Sequence, residues 1–192
     1  MIQQKLSKYN VILASGSPRR QQFFKDLEID FSVKLKSVEE IYPEELVAEE
    51  ITDYLADLKS KAFHNLNNND LLVTSDTIVW LENTALGKPK DKDDAFKMLS
   101  DLSGKEHKVI TSVSLKTNSF QKIFNDITKV TFKNLTSDEI DYYIKNYKPF
   151  DKAGSYGIQE WIGFIGIEKI EGSYFNVVGL PVQKLYSELM KL

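Results

Sequence analysis

Residues 11–24 read VILASGSPRRQQFF. Val11 to Ala14 is an apolar run of strand type, and Ser15-Gly16-Ser17 is a turn. Ser17 is a good helix N-cap, and Pro18 suits the first helical position, where its missing N–H costs nothing. The stretch predicts a strand at about 10–14 feeding a helix at about 18–28, with Phe23, Phe24 and Leu27 on one side. Two consecutive arginines, Arg19 and Arg20, stand in the first turn of that helix, an end that already carries partial positive charge. They fit there if an anion binds. The free N–H groups of a helix N-terminus and the forked guanidinium donors both suit phosphate oxygens. The plainer alternative is a capped helix whose arginines are solvated or paired with nearby acids. On the phosphate reading, replacing Arg20 with alanine weakens binding and turnover and leaves stability unchanged or slightly raised.

The rest of the chain limits what the anion is. Apolar residues make up 42% and charged residues 28% of 192 residues, a globular rather than a disordered balance, enough for one domain or a domain with a lobe. With a net charge of −3 and a pI of about 5.5, no stretch resembles a nucleic-acid footprint, so the local basic groups serve a small anion. The absence of cysteine excludes disulfides, thiolate catalysis and cysteine metal sites. The two histidines, His64 and His107, lack ligand spacing. Neither a signal-peptide core nor a membrane-length apolar run is visible, so the expectation is a soluble cytoplasmic protein.

Strand and helix patterns alternate outward from the opening stretch. DFSVKLKSV (30–38) alternates like a half-exposed strand, and from Glu44 to Asn65 apolar residues recur at helical spacing through Val47, Ile51, Leu55, Leu58 and Ala62. LLVTSDTIVWL (71–81) is an apolar run broken at Thr74-Ser75-Asp76-Thr77. A short helix follows at 91–104, then two strands at about 106–117 and 120–133, close enough to pair as a hairpin. TSDEIDYYIKNY is a helix with a capping box from Thr136 to Glu139. The glycines from 154 to 179 suggest loops, and Pro181 opens a last amphipathic helix. These elements predict an α/β fold with a mixed sheet flanked by helices, in a single domain over residues 1–192.

Each residue that could carry chemistry has a plain reading beside the functional one. Asp76 interrupts an apolar run; it is a turn aspartate bonding its own backbone, or a general base or hard-metal ligand. Without cysteine or a usable histidine, oxygen-ligated Mg²⁺ or Mn²⁺ is the metal class left. Glu39 and Glu40 follow a strand end, where a charged pair is ordinarily solvated. Lys59 lies at the edge of an apolar helix face, to snorkel or to reach a phosphate, while Lys61 faces further away. Lys88 sits in a Gly-Pro turn. Gln159, between glycines at 154, 157, 172 and 179, offers a donor and an acceptor to a base edge. No Walker-type or dinucleotide-binding glycine motif is present.

Taken together, LASGSPRR, VEE, LADLKSKA, SDTIV, LGKP, LSGKEHKVITSV, DKAGSYGIQ and GSYFNVVGLP, in this order from about residue 10 onward, resemble the Maf family of nucleoside triphosphate pyrophosphatases. The resemblance implies an elongated mixed sheet in two lobes with a central cleft, similar to the Maf/ITPase-like fold. It implies hydrolysis of a nucleoside triphosphate between the α and β phosphates, a divalent cation, and a homodimer. Ser15, Arg19 and Arg20 match the phosphate-binding turn, Glu40 the acid after the second strand, Lys59 the helix lysine and Asp76 the catalytic aspartate. Lys88 matches the lysine before proline and Gln159 the glutamine of the last motif. On this matching Asp76, Glu40, Lys59 and Lys88 are catalytic, Glu40 and Asp76 hold the metal, and Ser15, Arg19, Arg20 and Gln159 bind substrate. DKAG-x-YGIQ and GSY-x-x-V-x-GLP look like the branch acting on dTTP and UTP. The alternatives are a 7-methyl-GTP pyrophosphatase and a non-catalytic nucleotide-responsive regulator of septum formation. Ser75 replaces a common alanine, and Glu160-Trp161 replaces a small, glycine-rich continuation, which bears on the shape of the base pocket.

Overall fold

The computed structural model describes residues 1–192. Its elements run α1 (Ile2–Leu6), β1 (Asn10–Leu13), α2 (Pro18–Asp26), β2 (Ser32–Val33), α3 (Glu49–Lys61), β3 (Asp70–Leu81), β4 (Thr84–Leu86), α4 (Lys92–Leu102), β5 (Glu106–Lys116), β6 (Gln121–Phe132), α5 (Ser137–Tyr147), α6 (Trp161–Gly166), β7 (Ile167–Glu171), α7 (Tyr174–Val178) and α8 (Val182–Leu189). The strand order is β2-β1-β3-β5-β6-β7, with β4 on β3. β1 pairs in parallel with β2 and β3, whereas β3–β4 and β6–β7 are antiparallel, so the sheet is mixed. No helix is long and apolar enough to cross a membrane.

The chain forms two compact units, Met1–Asp76 with Thr111–Asp126 and Gly179–Leu192, and Thr77–Ile110 with Ile127–Val178. The first is built on the β1–α2–β2 connection read from the opening stretch. Ser17 caps α2 by accepting from the Arg20 N–H, and Pro18 is its first residue. Phe24 of α2 is fully buried with Val11, Leu13, Leu71, Val73 and the α8 residues Leu185 and Leu189. Burying such a side chain stabilises the fold by roughly 1.5–3 kcal/mol.

The second unit has its own core, in which Leu99 of α4 and Tyr143 of α5 pack with Val79, Phe132 and Ile162. β3 turns into β4 through Glu82 and Asn83, both at positive φ (46° and 65°), as a two-residue hairpin of this twist requires. The capping box of α5 forms as read, with Thr136 and Glu139 each bonding the other's backbone.

Three parts of the sequence reading change. The strand expected over 30–38 is reduced to Ser32–Val33, both exposed. The helix expected from Glu44 begins at Glu49, and Glu50 reaches back to the Val47 N–H at 3.0 Å. The stretch 154–179, expected as loops, contains α6, β7 and α7. Its glycines do not break α6, because a Cβ on Gly163 would lie 1.9 Å from the Ile158 carbonyl oxygen. Glycine there lets the helix pack directly on the preceding backbone.

Candidate active site

β3 runs without a break through Thr74, Ser75 and Asp76, all buried. The polar side chains are accommodated by α3. Thr74 Oγ1 donates to the Ala56 carbonyl at 2.6 Å. Thr52 on α3 shares a hydroxyl hydrogen bond with Ser112 of β5 at 2.6 Å, and Ser112 in turn donates to Asp53 Oδ1 at 2.6 Å. Asn125 of β6 donates to both Asp53 carboxylate oxygens, at 3.2 and 3.1 Å. These bonds fix the rotation of α3 and so the direction of Lys59 near its end.

Lys59 Nζ lies 2.6 Å from Asp76 Oδ1 and 3.0 Å from Glu40 Oε1. The Asp76 side chain is 8% exposed and that of Glu40 47%, so one carboxylate of the pair is enclosed and the other faces solvent. Burial pushes the Asp76 carboxyl above its ordinary value. The Lys59 charge and hydrogen bond, with Arg20, pull it back, and Glu40 adds to the rise. A buried carboxyl with a raised proton affinity, held by a lysine, is suited to take a proton from water.

Arg20 joins this group through the backbone. Its Nε donates to the Gly179 carbonyl at 2.8 Å, and Nη1 donates to the Ser75 carbonyl at 3.1 Å and to Ser15 Oγ at 3.5 Å. Ser15 Oγ also accepts from the Ser17 N–H at 3.3 Å, while Gln21 Nε2 donates to the Ser15 carbonyl at 3.1 Å. The expectation that Arg20→Ala leaves stability unchanged or slightly raised meets a guanidinium that ties α2 to β3 and to Gly179. Arg19, half-buried, is the second residue of the same helix. Ser15, Arg20, Glu40, Lys59 and Asp76 all belong to the first unit.

Lys88 and Gln159 belong to the second unit. Lys88 is exposed after β4, and its neighbour Gly87 accepts from the Gly154 N–H at 3.0 Å, which ties the Lys88 turn to the loop leading to Gln159. Gln159 Oε1 is buried without a hydrogen-bond partner. A buried acceptor in that condition is costly, and a ligand donor that reached it would be gained rather than exchanged.

The donor set fits a hard divalent cation. Glu40 and Asp76 supply oxygen only and already share one cation, the Lys59 ammonium. No third Asp, Glu, His or Cys joins them, so phosphate oxygens and water would have to supply the remaining ligands, as is usual for Mg²⁺. Motif reading singled out these residue types but missed the backbone partners of Arg20. It also missed Asp53 and the side chains of Tyr143 and Lys152 around the Gln159 turn. Only Glu160, flagged as a departure from the family pattern, pointed there.

Comparison with known proteins bears on the chain as a whole. The family model described as Maf-like protein matches residues 10–192. The dTTP/UTP pyrophosphatase of Flavobacterium johnsoniae is 61% identical over 193 residues, covering 100% of both chains. That of Flavobacterium psychrophilum is 62% identical over 191 residues, covering 99% of this chain and 98% of the relative. Among solved structures, the Ham1 protein of Staphylococcus aureus superposes with a TM-score of 0.52 at 17% identity, over 93% of this chain and 99% of that one. A HAM1 protein from Coxiella burnetii gives 0.53 at 15%, over 96% and 100%. These two bear on the fold alone, a related α/β architecture. The family match over nearly the whole length, the relatives above half identity and the Lys59–Asp76–Glu40 cluster lead to one conclusion: the chain belongs to the Maf-like protein family.

Proposed function

We propose that the protein hydrolyses dTTP and UTP to the nucleoside monophosphate and pyrophosphate. The observation that carries this reading is the Lys59 ammonium held between Asp76 and Glu40, a buried base beside a cation, on a strand that Arg20 links to Ser15. The names of the relatives supply the substrate.

Asp76 accepts a proton from the attacking water. The water oxygen bonds to one phosphorus of the α–β anhydride, and the bridging oxygen leaves with the other. Lys59, Arg19, Arg20 and Lys88 hold the negative charge that builds on the phosphate oxygens, and Ser15 donates to them. Glu40 and Asp76 would hold Mg²⁺ or Mn²⁺, which when bound supplies charge neutralisation on the phosphates. Gln159 presents its unpartnered acceptor to the base. The imide N3–H shared by thymine and uracil is a matching donor, whereas N3 of cytosine is itself an acceptor. The family resemblance also supports a cytoplasmic homodimer.

The test is product analysis over a panel of nucleoside triphosphates, with and without Mg²⁺ or Mn²⁺. The expected result is pyrophosphate release, fastest from dTTP and UTP and lost in excess EDTA. Release of orthophosphate, or a clear preference for 7-methyl-GTP, refutes the assignment.

A further inference from the structure

Gln159 is the third residue of a tight turn, closed by the Glu160 N–H donating to the Gly157 carbonyl at 3.0 Å. Both ends of this turn meet a single atom outside it. The Gly157 N–H donates to the Tyr143 hydroxyl oxygen at 3.0 Å, and the same hydroxyl donates to Glu160 Oε2. Tyr143, fully buried on α5, thus bridges the turn from end to end. The other carboxylate oxygen of Glu160 lies 3.1 Å from Lys152 Nζ, which also pairs with Asp151 at 2.8 Å.

Several features show that this arrangement is built in. Glu160 is the N-cap residue of α6, yet its side chain makes no cap hydrogen bond and turns instead to Tyr143 and Lys152. The Lys152 side chain is 9% exposed and that of Glu160 21%, so a lysine and a carboxylate are held largely out of water. Such a pair adds little net stability compared with apolar packing, and its recognised use is to impose one geometry. Glycine at 157 is what admits it. A Cβ there would lie 2.9 Å from the Glu160 carboxyl carbon and 3.1 Å from Lys152 Cε. Gly163 in turn lets α6 approach the Ile158 carbonyl closely, since a Cβ there would lie 1.9 Å from its oxygen. Burial and the neighbouring carboxylate push the Tyr143 phenol far up, so it remains a donor.

We propose that Tyr143, Glu160 and Lys152 are positioning residues that fix the orientation of Gln159, and thereby set the preference for an imide-bearing pyrimidine over cytosine. This rests on the dTTP/UTP reading above. These residues act through the turn rather than on the phosphates, so their loss should appear in base preference and KM rather than in the chemical step.

The experiment measures kcat and KM for UTP and CTP with the wild type, Tyr143→Phe and Glu160→Gln. Tyr143→Phe removes both bonds that span the turn. Glu160→Gln keeps an acceptor for Tyr143 but strips Lys152 of a charged partner, and it serves as the test if Tyr143→Phe does not fold. A preference for UTP over CTP that falls about tenfold, through KM and with kcat for UTP little changed, is the expected outcome. A folded variant that keeps the wild-type preference overturns the proposal. So does a parallel loss of kcat on both nucleotides, the sign of a merely structural role. A wild type that prefers CTP, or hydrolyses neither, removes the underlying reading itself, and the two failures are therefore told apart by the wild-type measurement.

Discussion

The guanidinium of Arg20 donates to the backbone carbonyl of Ser75, the residue immediately before Asp76, at 3.1 Å. An arginine placed at the unfavourable end of a helix is thus a strut for the strand that carries the base. Arg20→Ala leaves the Ser75 and Gly179 carbonyls without their charged donor. Bonds to charged groups contribute about 1.5–3 kcal/mol each. Two such bonds amount to about 3–6 kcal/mol, so a protein of this size should melt lower by roughly 6–24 °C, and turnover should fall with it. Arg20→Lys keeps the charge but not the fork, so it should recover only part of the loss. Thermal melts of the two variants check this. An unchanged melting temperature for Arg20→Ala would mean that the guanidinium contacts carry no net stabilisation.

Asp76→Asn retains shape but cannot take a proton from water. Turnover is expected to fall by about 10²–10⁴-fold. Binding of a non-hydrolysable dTTP analogue should persist, since a carboxylate facing a triphosphate has been removed. Single-turnover hydrolysis beside equilibrium binding makes the comparison. A loss of less than about tenfold, below the low end of that range, would move the base elsewhere, with Glu40 the next candidate.

Lys59→Met takes away the ammonium that pairs directly with both Glu40 and Asp76, leaving the more distant charge of Arg20. Turnover should drop on the order of 10²-fold through lost charge stabilisation. The same change frees two carboxylates, so Mn²⁺ alone should bind the variant more tightly than the wild type. Calorimetric titration with Mn²⁺ in the absence of nucleotide reads this directly, and weaker binding would show that the two carboxylates do not form a cation site.

His107 gives a pH signature in stability. It is buried against Phe132 and Tyr156, its Nε2 lies 2.8 Å from the Tyr156 hydroxyl, and burial lowers its pKa from 6.5 to about 4. The unfolded chain takes up a proton near pH 6.5 that the folded one refuses until about pH 4. Stability is therefore fully present above 6.5 and declines as the pH falls toward 4, by about 3 kcal/mol in all. His107→Leu should flatten this segment of the melting-temperature profile, over and above any uniform offset. An identical slope in wild type and variant would assign the acid sensitivity to carboxylates.

Elements with local signals were legible from sequence. Ser17 with Pro18 and Thr136 with Glu139 act over three residues or fewer, and α2 and α5 start where those pairs place them. Asp76 and Lys59 could be picked out by residue type, but their meeting depends on bonds such as Thr52 to Ser112, 60 positions apart. No pattern encodes such pairs. β2 was overestimated because alternation over 30–38 looks the same whether or not a buried face exists to hold it, and the two residues that do pair are exposed. The 161–178 region reads as loop because glycines recur at 154, 157, 172 and 179, whereas Gly163 and Gly166 within it provide close contact with Ile158 and Leu135. Nothing local singles out Tyr143, since its link is to a turn 14 positions later.

The discontinuity of the two units sets an order of assembly during synthesis. Residues 77–178 contain everything the second unit needs, whereas the first unit waits for Gly179–Leu192, because Leu180, Leu185 and Leu189 belong to its core. The part of the chain made first is thus the last to close. Until residues 179–192 have left the ribosome, Val11, Leu13, Phe24 and Leu71 lack part of their cover, and the nascent segment that carries them is in the condition that recruits chaperones.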